Sequence, residues 1–109
     1  MAESWKAGKV ASVRPDTIAD GLAIRTPIAR SVERLRALVD EMVVVDDAAL
    51  LRAMRIAART LGLMLEPAGA AGLAAVAAHK IPGERIATVL TGGNIHPDLA
   101  AKLHEEGGA

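Results

Sequence analysis

The chain has 109 residues, 51% of them apolar, and its 13 lysines and arginines are balanced by 13 aspartates and glutamates. That length supports one domain at most, and balanced charge with Trp5 as the single aromatic gives neither a field for a polyanion nor rings for base stacking, which argues against a nucleic-acid partner. The absence of cysteine removes disulfides, thiolate metal ligands and a thiol nucleophile, and an N-terminus without basic and apolar signal regions, with charges breaking every apolar run before about 18 residues, reads as a cytoplasmic chain with no membrane partner.

In chain order, residues 1–7 read as the last turns of a helix closed by Gly8, and residues 9–15 as an extended or loop segment ending at Pro15. Asp16 and Thr17 are placed to cap a short turn that Gly21 stops. From Pro27, a residue suited to a first helical turn, Val32, Leu35, Leu38 and Val39 recur at helical spacing as far as about Asp40. The β-branched run 42–45 predicts a buried strand. Asp46 or Asp47 then caps a helix whose apolar face is Leu50, Met54, Ala57, Ala58 and Leu61, and Gly62 ends it. Residues 63–65 predict a strand or extended entry, and Glu66-Pro67 opens a helix to Ala78 that has no polar face before His79 and so calls for protein on all sides. After the Pro82-Gly83 turn, residues 86–90 predict another strand, and Pro97 to Glu106 a final helix. This alternation is that of an α/β fold with a mainly parallel sheet, in which ligands bind at the carboxyl ends of strands.

That rule points at Thr91-Gly92-Gly93-Asn94. A glycine pair admits a flat ligand close to the backbone, and the Thr91 hydroxyl can donate to an aromatic nitrogen, although the same tetrapeptide also serves as an ordinary turn. Glu66, between an apolar run and an apolar helix, either caps that helix or faces a site. Asp16, Asp20 and Gly21 read equally as turn residues. His79, His96 and His104 share no metal-binding spacing, and Lys6, Lys9, Lys80 and Lys102 all lie in polar or terminal settings unlike a buried Schiff-base lysine.

Four stretches taken in order carry more: Ser4-Trp5-Lys6-Ala7-Gly8, Asp16-Thr17-Ile18-Ala19-Asp20-Gly21-Leu22-Ala23, Glu66-Pro67-Ala68-Gly69-Ala70-Ala71 and Val89-Leu90-Thr91-Gly92-Gly93-Asn94. Their order and spacing resemble the C-terminal part of the serine/threonine dehydratases (threonine ammonia-lyases), fold-type II pyridoxal-phosphate enzymes similar to the tryptophan synthase β chain. The resemblance covers nearly the whole chain. It implies a partial doubly wound α/β fold, with residues 1–109 as a single C-terminal segment of the larger, cofactor-binding domain.

The resemblance also implies pyridoxal phosphate as cofactor, with the Thr91 hydroxyl at the pyridine nitrogen, Gly92 and Gly93 allowing the ring its approach, and Glu66, Asp20 and Gly21 close by. A neutral hydroxyl makes the ring a moderate electron sink, which suits β-elimination of L-threonine or L-serine to a 2-oxo acid and ammonia. The family's N-terminal Ser-x-Lys segment, which is not the Ser4-Trp5-Lys6 of the C-terminal resemblance, and its glycine-rich phosphate cradle do not occur among these residues. The expectation is therefore no catalytic residue in this chain and no turnover by the chain alone, with assembly either through self-association or with an N-terminal half that brings the lysine. Two other readings stay open: a noncatalytic fragment acting as an interaction module, and another reaction on the same scaffold, such as that of a racemase or threonine synthase.

Overall fold

The computed structural model describes residues 1–107 and divides the chain into two compact units, residues 1–17 with 21–44, and residues 18–20 with 45 onward. In the first, α1 (Ala2–Ala7) ends as its sequence predicts: Gly8 takes the left-handed conformation (φ +74°) and donates its N–H to the Ser4 carbonyl. Ser4 is fully buried and satisfied, its hydroxyl donating to the Ala11 carbonyl (3.1 Å) and accepting the Ala11 N–H (2.8 Å). The indole N–H of Trp5 donates to the Leu35 carbonyl (3.3 Å) and Arg36 donates to the Trp5 carbonyl (3.0 Å), tying α1 to α2 (Ala29–Leu38). Pro27 lies before this helix and not in its first turn, and Leu38, counted by its spacing with the apolar face, is 79% exposed. Residues 9–15 form the expected loop, joined to the chain ahead of α2 by Val13 N–H to the Arg25 carbonyl (2.9 Å). The predicted turn at Asp16-Thr17 comes later, as a 3₁₀ turn over Asp20–Leu22 with Gly21 inside it and not at its end.

In the second unit, Asp46 caps α3 (Asp47–Ile56) by accepting the Ala49 N–H at 2.7 Å. The helix runs on through a π turn, Ala57–Leu61, to Gly62 at φ +68°. A 3₁₀ turn (Ala68–Ala70) leads into α4 (Ala71–Ala78), and α5 (Pro97–Gly107) falls where the sequence puts it. The core joins these helices through Ala49, Leu50, Ala53, Met54, Ala57, Ala70, Ala74 and Leu103, with Ala19 and Leu65 completing it. Alanines on facing sides let the α3 and α4 backbones approach, and Leu50 and Met54 supply the volume. Arg55 pairs with Glu106 of α5, fastening the last helix to α3.

Two expectations are corrected here. The Glu66–Ala78 segment is not wrapped on all sides: Ala74 is buried on the side of α3, and Gly69 and Gly72 lie against residues 88–91, whereas Ala77 and Ala78 at its end are exposed. Nor do residues 42–45 and 86–90 form strands, and residues 63–65 follow the second half of their reading, a non-strand entry to the next helix; no strand occurs among the described residues. A strand exists only through a neighbour's ladder, and none forms among the described residues; the Glu66 N–H to the Gly92 carbonyl (2.9 Å) and the Thr91 N–H to the Gly69 carbonyl (3.4 Å) tie chain ends together without making one. Their apolar side chains divide accordingly: Leu65 enters the core and Val45, Met64 and Leu90 pack against it, while Val44 at 62% and Val89 at 75% exposure stay outside. Among the described residues no helix is long and apolar enough to cross a membrane, and no group of three or more histidines and acids is placed to hold a metal.

Candidate functional site

Three of the five residues singled out by sequence meet in the second unit. Glu66 follows the extended run 63–65, Thr91 and Gly92 follow the run 86–90, and the Glu66 N–H bond to the Gly92 carbonyl holds the two ends together. Gly92 has φ +71°, the left-handed region that costs glycine nothing, and it turns the chain directly after Thr91. The half-buried Glu66 side chain fills the space beside it: a Cβ on Gly92 would overlap the carboxylate and stand 2.8 Å from Glu66 Cγ. Thr91 is exposed, so its hydroxyl is open to a ligand while its backbone is held from both sides.

The other two residues are placed differently. Asp20 is exposed in the second unit, where it lines a cleft of about 290 Å³ with Ile18, Pro67, Asn94, Ile95 and Leu99. Gly21 is exposed and belongs to the first unit. The cleft was not visible in sequence, because its lining comes from three separate stretches, at residues 18–20, at Pro67 and at residues 94–99. Asn94 of the glycine turn and His96 are the cleft's other polar residues beside Asp20. Lys6, Lys9, Lys80 and Lys102 are all exposed, as their settings predict.

Comparison with known proteins supplies what the geometry leaves open. The family model of the pyridoxal-phosphate dependent enzymes matches residues 1–92. The chain belongs to that family. The cofactor of these enzymes is pyridoxal phosphate, and solved members with this fold are α/β proteins of fold type II. An L-threonine ammonia-lyase of Thermotoga maritima is 31% identical over 109 residues, which is 98% of this chain and 27% of the relative. The T.th. threonine deaminase superimposes with a TM-score of 0.79 at 34% identity, over 87% of this chain and 33% of that one. Maize serine racemase superimposes with a TM-score of 0.81 at 31% identity, over 96% of this chain and 35% of that one. The chain thus spans about a third of the length of the proteins it matches.

The residues present fit the pyridine end of the family's cofactor. An exposed hydroxyl, fixed through its backbone and followed by a left-handed glycine, offers a neutral donor of the kind an aromatic nitrogen accepts. The Glu66 carboxylate packs on Gly92 and braces the turn.

Proposed function

We propose that this chain is the C-terminal segment of the large domain of a threonine or serine dehydratase, and that Thr91 donates its hydroxyl hydrogen to the pyridine nitrogen of pyridoxal phosphate. The observation that carries the reading is the Thr91 turn: an exposed hydroxyl at the end of an apolar run, its backbone anchored to Gly69 on one side and, through Gly92, to Glu66 on the other. When bound, the cofactor supplies an electron sink for the negative charge that develops at the substrate's α-carbon. The chain's own part is to orient the ring without placing a carboxylate on its nitrogen, which keeps that sink moderate and favours loss of a β-hydroxyl as water over transamination. Glu66 braces the turn, Gly92 leaves room for the Glu66 side chain against it, and Asp20 and Gly21 stand at the cofactor's edge.

In the same reading, runs 42–45, 63–65 and 86–90 become strands of a mainly parallel, doubly wound sheet once the rest of the fold lies beside them. The Schiff-base lysine and phosphate cradle come from an N-terminal portion, the substrate is a small hydroxyamino acid, and the assembled enzyme is a cytoplasmic homo-oligomer. The similarity to maize serine racemase, as extensive as that to the deaminase, favours racemisation of serine as the second reading. Mixing the chain with a lysine-bearing N-terminal portion from the family and supplying L-threonine and L-serine separates the two. Release of 2-oxo acid and ammonia is the expected outcome, D-serine as the main product would establish the alternative, and neither product from a complex that binds the cofactor would refute both. The chain alone is expected to give no product.

A further inference from the structure

We propose that Gly69 and Gly72 are positioning residues that form a seat without side chains on the helical segment 68–78, and that this seat fixes where the Thr91 hydroxyl stands. The proposal rests on the reading of Thr91 as the cofactor's hydrogen-bond donor. Glycine is a poor helix residue, yet this segment is otherwise built from alanine, with only Leu73 and Val76 besides, so the two glycines answer to packing and not to propensity. They are three residues apart and therefore share a face. On that face lies the segment 88–91. A Cβ on Gly69, which is buried, would overlap the Thr91 carbonyl oxygen and stand 2.5 Å from the carbonyl carbon and 3.4 Å from Cα. A Cβ on Gly72 would overlap the Thr88 hydroxyl and stand 3.3 Å from Thr88 Cβ.

The two contacts differ in kind, and the difference makes the proposal testable. Gly69 meets backbone, which has nowhere to go without moving Thr91, and the same pair shares the 3.4 Å Thr91 N–H to Gly69 carbonyl bond. Gly72 meets the end of a side chain, which can be removed. Since Thr88 and Thr91 lie on one extended run, a push at Thr88 is passed to Thr91, and the Glu66 N–H bond to the Gly92 carbonyl is broken or lengthened with it.

The experiment compares Gly69→Ala, Gly72→Ala, Gly72→Ala/Thr88→Ala and Gly72→Ala/Thr88→Val. Amide hydrogen exchange in the 109-residue chain gives the first readout. Pyridoxal phosphate affinity in the complete enzyme gives the second. Gly69→Ala is expected to lower protection at the Thr91 and Glu66 amides about tenfold or more, with the α3 amides unchanged. Gly72→Ala is expected to lower it less and to weaken cofactor binding several-fold; Thr88→Ala restores both, and Thr88→Val, which keeps the bulk, restores neither. Unchanged protection at Thr91 in a folded Gly69→Ala chain would overturn the seat, as would failure of Thr88→Ala to rescue Gly72→Ala. Should Gly69→Ala not fold, the Gly72 and Thr88 pair decides alone. Should Thr91→Val leave cofactor affinity unchanged while the rescue holds, the seat stands and the role given to Thr91 fails.

Discussion

The helices around α3 and the apolar runs 42–45 and 86–90 are built from similar aliphatic residues and end in opposite situations. Leu50 and Met54 are fully buried against alanines of α4, while Val44 and Val89 lie largely in solvent. The difference is one of where hydrogen bonds are found. A helix satisfies its backbone within its own segment and needs a partner only for one face, whereas a strand finds its backbone partners on another segment. The chain therefore completes its helices from its own residues, while its strand-like runs form no ladder among the described residues and leave Val44 and Val89 exposed.

If that contrast is right, substitutions in the two regions separate by size. Met54→Ala, which empties the centre of the helical core, is expected to cost about 2 to 5 kcal/mol, read as a shift of the denaturant midpoint or as outright loss of the cooperative transition. Asp46→Ala removes the cap on α3 and is expected to cost about 1 kcal/mol by the same measurement, with Asp46→Asn retaining most of the stability. Val89→Ser, in the exposed run, is expected to stay within about 0.5 kcal/mol of the parent chain. A large loss at Val89 would mean that this run is packed in solution and that the contrast is mistaken. The Val89 result should change once the chain is joined by an N-terminal portion of the family: burying that run makes the same serine costly.

The same distinction explains how far the sequence could be read. The caps and stops were legible because they are local chemistry: Gly8 and Gly62 in left-handed conformations, Asp46 accepting from Ala49, and Pro97 opening α5. The runs at 42–45 and 86–90 carry the β-branched pattern of strands, but pattern states a preference, and the ladder requires a neighbour. Leu38 shows the same limit, since periodicity identifies a face without saying whether anything covers it. Within the site, Thr91, Gly92 and Glu66 were found through order and spacing, and their meeting came from hydrogen bonds across twenty-six residues. What sequence hid was the reason for Gly69 and Gly72, two glycines in an alanine helix whose contacts lie on the distant segment 88–91.

The central claim is that the Thr91 hydroxyl meets the pyridine nitrogen, and the most direct test is the ¹⁵N chemical shift of labelled pyridoxal phosphate bound to the complete enzyme. With Thr91 the nitrogen should show the shift of a neutral, hydrogen-bonded pyridine. Thr91→Ser should keep that shift, and Thr91→Val should move it toward a free pyridine while cofactor affinity falls about tenfold, the loss of one hydrogen bond. A nitrogen shift that is the same in Thr91 and Thr91→Val enzymes would contradict the account.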